Sequence, residues 1–276
     1  DLKKELENKA KLIKNINPLL FIINPIYFYK VINEIKDNKP DIIQSWMYHS
    51  NFITIFFKLF IKANIIWNIR HGNIFKSQSK ILTKIIVIIC SFFSYFVPVK
   101  IIYCSNFSLK NHLKIFYDKK KGIIIHNGID PTKFYKDEEI KIKVRKKFNI
   151  NNDYIIIGMI ANWRKQKNHS LLIQSLKKIN FKYKLILIGK NISLENIDLI
   201  NQLKNSGVFN KTIILDYIED INEIYNLIDL TVLTSLDESF PNVIAESMMS
   251  STLCATTNVG EVNKIISNHG WIIKSF

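Results

Sequence analysis

Cysteine is scarce in this sequence, and its three thiols are widely separated. Cys90, Cys104 and Cys254 form no C-x-x-C pair, so neither a structural zinc site nor a disulfide framework is expected. Because the cysteines are few and scattered, we expect a reducing, cytoplasmic environment. The chain starts at Asp1 rather than Met, so we expect it to be a fragment, and its first residues form a charged run without an apolar signal segment.

Long hydrophobic runs are also missing. The uncharged run 85–99, between Lys84 and Lys100, is shorter than the ~20 residues that a membrane-spanning helix needs, and Pro98 interrupts it. We interpret it first as a core helix and second as a helix at a membrane interface. The segment 52–62, which is apolar with interspersed lysines, allows the same two interpretations.

Two ligand-binding motifs do not occur. No G-x-G-x-x-G follows any predicted strand, which disfavours a dehydrogenase. The six histidines form no pair with a metal-ligand spacing such as H-x-x-x-H, so we expect no metal held by the protein.

The charge is strongly of one sign. Lys and Arg total 39 against 23 Asp and Glu, a formal net charge of +16. Such an excess attracts nucleic acids, phosphorylated ligands or an anionic membrane face. The lysines are spread through an Ile- and Asn-rich chain, however, as they would be if they simply reflected the base composition of the gene. No basic helix, zinc spacing or aromatic RNA-binding motif accompanies them, so we expect no nucleic-acid partner.

Apolar runs rich in β-branched residues alternate with helical patterns, which predicts parallel α/β units. Strands are expected at residues 41–44, 65–69, 100–103, 122–125, 155–158, 183–189, 211–215 and 230–233. Helices are expected at 170–179, 220–228 and 243–250, with Asp220 as an N-cap. Because residues 131–147 are charged and poorly apolar, we interpret them as a connector between two domains. The predicted domains are 1–135 and 136–276.

Two carboxylates, Glu238 and Glu246, lie eight positions apart on either side of an apolar turn. Pro241 suits the first turn of a helix, and the free N–H groups of such a turn are suited to bind an anion. A surface loop and helix that merely carry two acids would have the same spacing. The downstream segment Thr257-Asn-Val-Gly-Glu261 favours the functional interpretation.

Together these segments resemble the donor-site signature of retaining nucleotide-sugar glycosyltransferases of family 4, whose usual form is E-G-F-P-N-x-x-x-E followed by T-D-V-G. The resemblance extends over nearly the whole chain, through segments 44–49, 67–71, 103–105, 126–130 and 158–169. It implies the GT-B fold, in which two Rossmann-like parallel-sheet domains face a cleft. Against the family pattern, the acceptor-side domain 1–135 is expected to be incomplete, and the donor domain 136–276 to lack its last helices.

The resemblance also implies an activity. The protein would move a sugar from a nucleoside-diphosphate sugar to a glycan or lipid-linked acceptor with retention, in bacterial surface polysaccharide synthesis. It would need no cofactor and would work in the cytoplasm or at the inner face of the cell membrane, in peripheral contact with anionic lipid. Two alternatives stay open: a non-catalytic sugar-nucleotide-binding fragment and a GT-B sugar-nucleotide epimerase. The pattern of Glu238 and Glu246 disfavours the epimerase.

The resemblance assigns roles around the reacting centre. Glu238 would contact the donor sugar and act in catalysis, with His49 as the second catalytic candidate. Arg70 and His71 would lie on the acceptor side. His49 and His71 are expected in loops that follow the strands near residues 41 and 65. Ser239 replaces the family's usual glycine, so the donor preference is expected to differ.

The resemblance likewise assigns the nucleotide-binding residues. Arg164 and Lys167, in the loop after the strand at 155–158, would bind the donor diphosphate. The backbone N–H groups around Phe240, Pro241 and Asn242 would bind the sugar and the distal phosphate. Glu246 would accept hydrogen bonds from the ribose hydroxyls.

Overall fold

The computed structural model describes Phe21 and residues 24–74 and 80–273. The charged run at the start of the chain lies outside these residues. The described residues form two compact units. One unit takes the residues up to Ile69, with Lys80–Ile102 and Leu113–Ile123, and the other takes residues 70–74, Tyr103–His112 and the residues from Ile124 onward. The predicted domain boundary at residue 135 stays a prediction.

A four-stranded sheet forms the centre of the amino-terminal unit. Its strands, in spatial order, are β1 (Ile42–Trp46), β2 (Asn64–Ile69), β3 (Lys100–Tyr103) and β4 (Gly122–Ile124). β1 and β2 run parallel, with Ser45 opposite Trp67. The helices in this part of the chain are α1 (Pro25–Asp37), α2 (Met47–Phe60), α3 (Ile81–Phe93) and α4 (Asn106–Leu113).

Helix α3 packs only one face against its unit. That face buries Ile86, Val87 and Cys90. The opposite face exposes Ile81, Leu82, Ile85, Ile88 and Phe92. The interpretation of this run as a core helix is therefore correct for one face and wrong for the other. Among the described residues, no helix is both long and apolar enough to cross a membrane.

A six-stranded parallel sheet forms the carboxyl-terminal unit. Its strands are β5 (Ile155–Ile160), β6 (Tyr183–Ile188), β7 (Thr212–Leu215), β8 (Leu230–Leu233), β9 (Leu253–Thr257) and β10 (Trp271–Ile273). Their spatial order is β10-β9-β8-β5-β6-β7. The chain therefore changes direction across the sheet between β5 and β8, and sheets of this type bind ligands at such a switch point.

Helices cover both faces of this sheet. They are α5 (Glu138–Lys147), α6 (His169–Leu176), α7 (Ile197–Asn205), α8 (Ile221–Leu227), α9 (Asn242–Met249) and α10 (Val262–Ile266). Successive side chains of β5 point to opposite faces. Ile156 packs with Val144 of α5 and Ile224 of α8, whereas Ile157 packs with Leu172 of α6. The central strand is thereby buried on both sides.

Most predicted elements are confirmed. All eight predicted strands occur within two residues of their expected ends, and the three predicted helices are α6, α8 and α9. Asp220 caps α8 as expected, because its side chain accepts the Asn222 N–H at 2.9 Å. β9 and β10 were not predicted.

The prediction of a connector at residues 131–147 is wrong for its second half, which forms α5. Asp137 caps this helix by accepting the N–H groups of Glu139 and Ile140 at 2.8 and 3.1 Å. Acidic residues in the first turn and basic residues in the last turn favour the helix further. Its charges lie mostly on the exposed face, while Val144 is fully buried.

Candidate functional site

The candidate site lies at the carboxyl ends of β5 and β8, which are neighbours at the switch point of the sheet. Two loops leave the sheet there, at residues 161–168 and 234–241. The Leu236 N–H donates to the Gln166 carbonyl at 2.8 Å, and the Gln166 side-chain amide donates to the Asp237 carbonyl at 2.6 Å. Thr234 Oγ1 donates to the Asn168 carbonyl at 2.8 Å. The two loops therefore hold each other in place.

Lys167 and Glu238 meet directly where these loops touch. Nζ of Lys167 lies 2.5 Å from Oε1 of Glu238, and Ser235 Oγ donates to the same oxygen at 2.8 Å. The Lys167 and Glu238 side chains are only 24% and 13% exposed. Desolvation strengthens the attraction between such charges. An anionic ligand at this point would meet a cation that is already in position, with a carboxylate beside it.

Arg164 is on the same loop but in a different environment. It is exposed and precedes the short 3₁₀ turn Lys165–Lys167. Asn168 closes this turn in the left-handed conformation, with φ of 52°. The structure thus places both predicted diphosphate-binding cations on one loop, where Lys167 is fixed by an ion pair and Arg164 faces solvent.

Glu246 lies one turn inside α9 and is half-buried. Its Oε2 accepts a hydrogen bond of 2.5 Å from the hydroxyl of Tyr225, on α8. Burial raises the pKa of the Glu246 carboxyl, and the hydrogen bond from Tyr225 opposes that shift. Burial, with the charge of Glu246, also raises the pKa of the Tyr225 hydroxyl, which therefore stays protonated as a donor.

Phe240, Pro241 and Asn242 connect the β8 loop to α9. The Phe240 ring stacks on the His126 ring, with centroids 5.4 Å apart and an interplanar angle of 27°. Pro241 is buried and occupies the N-cap, so the helix begins at Asn242, immediately after it. The sequence predicted Pro241 in the first turn, and it lies one position earlier, where a proline likewise leaves no backbone donor unsatisfied.

Arg70 reaches Asn242 through one intermediate residue. The Arg70 guanidinium donates to Oδ1 of Asn127, and the Asn127 amide donates to Oδ1 of Asn242 at 2.6 Å. The segment 126–130, noted in the sequence without a role, thereby contacts both Arg70 and the first residue of α9.

Ser239 and Gly260 shape the backbone beside Glu238. Ser239 is buried, and its Oγ lies 2.8 Å from Ser105 Oγ and 3.0 Å from Cys104 Sγ. Gly260 has φ of +57°, and a Cβ there would lie 2.5 Å from the Ser239 carbonyl oxygen and 2.6 Å from that of Glu238. Only glycine fits this position, which explains why the segment Thr257–Glu261 has a glycine there.

The two histidines predicted in the site, His49 and His71, lie in different environments. His71 follows β2, as predicted, and burial lowers its pKa while the charge of Glu238 opposes that shift. His49 belongs to the amino-terminal unit and is exposed in the first turn of α2. Its expected position in a loop is wrong, because α2 begins at Met47, directly after β1 ends at Trp46.

Sequence reasoning missed three partners of the predicted residues: Ser235, Asn127 and Tyr225. Ser235 lies within the same loop as Glu238, and a search for hydroxyls next to the acid could have found it. The other two contact residues 115 and 21 positions away, respectively, which no local pattern indicates. Within the described ranges, no group of three or more His, Cys, Asp or Glu side chains could hold a metal ion.

Comparison with known proteins places this geometry in context. Residues 140–276 match the family described as Glycosyl transferases group 1. The O-antigen biosynthesis glycosyltransferase WclY of Escherichia coli is 29% identical over 144 residues, which cover 52% of this chain and 39% of that protein. The chain thus spans about two fifths of the length of this relative.

A longer alignment joins the chain to a second Escherichia coli protein, the UDP-Gal:alpha-D-GlcNAc-diphosphoundecaprenol alpha-1,3-galactosyltransferase. The two are 23% identical over 277 aligned positions, covering 95% of this chain and 69% of the relative. Among solved structures, Anabaena HepE in complex with UDP-glucose superposes with a TM-score of 0.84 at 17% identity, over 99% of this chain and 74% of HepE. The carboxyl-terminal half of the chain is therefore similar to the group 1 glycosyl transferases, and the chain has the GT-B fold, with two Rossmann-like parallel-sheet domains.

Proposed function

We propose that this protein is a glycosyltransferase that moves a sugar from a nucleoside-diphosphate sugar to a glycan or lipid-linked acceptor, with retention. The contact between Lys167 and Glu238 at the switch point of the sheet carries this proposal. When the bond between the anomeric carbon and the diphosphate breaks, the leaving group gains negative charge and needs fixed positive charge nearby. The same reaction creates positive character at the anomeric carbon, which a carboxylate stabilises.

The diphosphate would lie against the loop after β5. Lys167 would contribute a point charge and Arg164 a planar pair of donors. Backbone N–H groups around Phe240, Pro241 and Asn242 would bind the sugar and the distal phosphate. Arg164 is exposed, so it can reorient toward a ligand without breaking a contact described in the structure.

Glu238 would hold the donor sugar while the acceptor attacks from the front face. The acceptor oxygen forms a bond to the anomeric carbon, the bond to the diphosphate breaks, and a leaving phosphate oxygen takes the acceptor's proton. A double displacement with Glu238 as the nucleophile is the alternative. Arg70 and His71 are assigned to the acceptor side, and His49 to the reacting centre as a second catalytic residue.

Glu246 would accept hydrogen bonds from the ribose hydroxyls of the nucleotide. It lies eight residues beyond Glu238, one turn inside the helix that starts at the same loop. This arrangement supports a nucleotide whose diphosphate lies near the loops and whose ribose lies along α9. Residues 136–276 would therefore bind the donor, and residues 1–135 the acceptor.

The names of the relatives support the substrate class. HepE is described with UDP-glucose, and the galactosyltransferase is named for a UDP-Gal donor and a diphosphoundecaprenol-linked acceptor. WclY is named for O-antigen biosynthesis. We infer a UDP-sugar donor, a lipid-linked acceptor and a place in surface polysaccharide synthesis, with no cofactor beyond the donor and no metal held by the protein.

Contact with a membrane is the remaining part of the proposal. The exposed face of α3 is apolar, Lys80 directly precedes the helix, and Lys84 lies in its first turn. An apolar helix face with flanking lysines suits the surface of an anionic bilayer. Such contact at the cytoplasmic face of the cell membrane would bring the acceptor-side unit to a lipid-linked substrate.

A panel of UDP-, GDP- and ADP-sugars tests the function. One nucleotide class should raise the melting temperature and should be hydrolysed slowly, or transferred when an acceptor is added. A non-catalytic binder would be stabilised without hydrolysis, and an epimerase would change the sugar without releasing the nucleotide. If no class stabilises the protein and none is hydrolysed, the proposal is wrong.

A further inference from the structure

Glu246 has a buried partner that its proposed role does not by itself require. Tyr225 is fully buried on α8, and its hydroxyl donates to Oε2 of Glu246 at 2.5 Å. A hydrogen bond from a neutral hydroxyl to a carboxylate is stronger than one between neutral groups. This single contact links the sheet-covering helix α8 to the helix that carries the proposed ribose-binding acid.

Tyr225 is itself fixed from several directions. Thr252 Oγ1 donates to the Tyr225 carbonyl at 2.9 Å, and the Phe134 ring meets the Tyr225 ring edge-on, with centroids 5.6 Å apart. Asn226, the next residue of α8, donates to the Tyr135 carbonyl at 2.9 Å and so keeps Phe134 in place. The hydroxyl therefore has little freedom to leave Glu246.

We propose that Tyr225 is a positioning residue for nucleotide recognition, which binds Oε2 of Glu246 and directs Oε1 toward the ribose hydroxyls. This inference rests on the proposed ribose-binding role of Glu246. A free carboxylate can rotate about its last bond, and each rotation would misplace both acceptor oxygens. Fixing one oxygen fixes the other, so fewer orientations are lost when the nucleotide binds.

The hydroxyl also compensates for the partial burial of the carboxylate. Without it, Oε2 of this half-buried carboxylate would lose its donor from α8, which is costly for a charged group. Tyr225→Phe removes this one oxygen and keeps the ring in its packed position. The variant therefore separates the hydrogen bond from the packing of the aromatic ring.

The test compares two ligands by calorimetric titration. One is the nucleoside diphosphate that stabilises the protein most among UDP, GDP and ADP, and the other is its 2′,3′-dideoxy analogue. The wild-type protein should bind the ribose form about tenfold more tightly, because the analogue cannot donate to Glu246. In Tyr225→Phe this ratio should fall to about threefold or less, with little change in the affinity for the analogue.

A matched control is Tyr183→Phe. Tyr183 is also buried, and its hydroxyl donates to the Leu176 carbonyl at 3.3 Å, outside the proposed nucleotide site. This variant should keep the wild-type ratio. If the role of Tyr225 is purely structural, Tyr225→Phe should bind both ligands more weakly by the same factor. The ratio of the two affinities would then stay unchanged, which would overturn the inference.

Two further variants keep the outcomes distinct. If Glu246→Gln leaves the ratio of the two affinities unchanged, the ribose-binding role itself is wrong. If Glu246→Gln collapses the ratio and Tyr225→Phe does not, only the positioning role is wrong. Should Tyr225→Phe fail to fold, Tyr225→Phe/Glu246→Gln should regain a folded state, because no half-buried carboxylate is then left without the Tyr225 donor. Failure of this rescue would also contradict the inference.

Discussion

Ser239 shows how one residue fixes the proposed donor loop. It occupies the position that is usually glycine in the resembling family, and its hydroxyl is buried against Ser105 Oγ and Cys104 Sγ. Ser105 Oγ in turn accepts the Ser108 N–H at 2.9 Å, at the start of α4. A glycine at position 239 could contact neither the Ser105 hydroxyl nor the Cys104 thiol in this way. The serine therefore restricts the backbone at this position and holds the loop next to Glu238 in place.

Ser239→Ala should lower the free energy of unfolding by about 1 to 2 kcal/mol, because buried hydroxyl partners lose a hydrogen bond. Ser239→Gly should cost at least as much, since it also adds backbone freedom to the unfolded chain. Chemical denaturation measures both changes. Ser175→Ala is the control, because its exposed hydroxyl bonds only within α6. Equal stability of all three variants and the wild type would contradict this account of Ser239.

Glu246 should make nucleotide binding dependent on pH. Burial raises the pKa of its carboxyl, and only the ionised form accepts hydrogen bonds at both oxygens. Affinity should therefore be full above the raised pKa and should fall as the pH drops through it, at a higher pH than an ordinary carboxyl would give. Titration of the nucleoside diphosphate between pH 8 and 4 measures this dependence.

The phosphates of the ligand titrate over part of the same range, so Glu246→Gln serves as the reference. That variant keeps the titration of the ligand and loses the titration of the carboxyl. The wild-type affinity should fall more steeply toward acid than that of Glu246→Gln. Parallel pH profiles would show that Glu246 does not bind the nucleotide as an ionised group.

At the scale of elements, the site depends on loops that are held by neighbouring strands. The turn after β9 brings Gly260 against the carbonyl oxygens of Glu238 and Ser239. Thr257 Oγ1, at the end of β9, donates to the Ser235 carbonyl at 2.6 Å. The position of Glu238 therefore depends on β9, although no catalytic role is assigned to that strand.

Gly260→Ala should displace the loop that carries Glu238. The new Cβ would meet two carbonyl oxygens at 2.5 and 2.6 Å, in addition to the strain of φ at +57°. We expect a loss of about 2 kcal/mol or more in the free energy of unfolding, with reduced turnover. Gly207→Ala is the matched control, because φ is +66° there and no atom lies within 4 Å of the new Cβ. If Gly260→Ala and Gly207→Ala change the free energy of unfolding and the turnover equally, contact between the new Cβ and the Glu238 loop does not explain the effect.

The elements that the sequence predicted are those whose pattern is local. Ile155 to Ile160 is a nearly continuous apolar run, as expected of a strand buried on both faces. β9 was missed because Leu253-Cys-Ala-Thr-Thr257 is short and contains small and polar residues. α5 was missed because its charged residues outnumber its apolar residues, although Asp137 is a recognisable N-cap signal in the sequence.

The candidate site was predictable to the level of the residues, but not of their contacts. The motifs indicated Lys167 and Glu238 separately, and the contact between them depends on β5 and β8 being neighbours. Strand order follows from the topology of the whole sheet, so no local spacing gives it. The same holds for Tyr225 and Glu246, whose helices lie on either side of β8 in the sequence.

At the scale of the whole molecule, the proposed membrane contact concerns one surface of the amino-terminal unit. Leu82→Ser/Phe92→Ser removes two side chains of the exposed α3 face that are each 62% exposed. This variant should pellet with phosphatidylglycerol vesicles several-fold less than the wild type, because apolar burial and lysine attraction act together. Vesicles of phosphatidylcholine should bind both proteins weakly.

The control for this surface is Leu194→Ser, which changes a leucine that is 71% exposed in the carboxyl-terminal unit. It should bind vesicles like the wild type. If the α3 variant and the control sediment equally with anionic vesicles, the proposed surface plays no part in membrane contact.

The central claim is that Lys167 binds the donor diphosphate while Glu238, beside it, acts on the transition state, and comparing two variants tests this claim most directly. Nucleotide binding and turnover of the preferred sugar nucleotide are measured for Lys167→Ala and Glu238→Gln. Lys182→Ala is the control, since it breaks an exposed ion pair with Asp153.

Lys167→Ala should weaken binding of the nucleoside diphosphate about tenfold, because a charge-assisted contact to phosphate is lost. Glu238→Gln should lower turnover about a hundredfold with little change in that binding, because its effect is on the transition state. Wild-type binding and turnover in both variants would contradict the account.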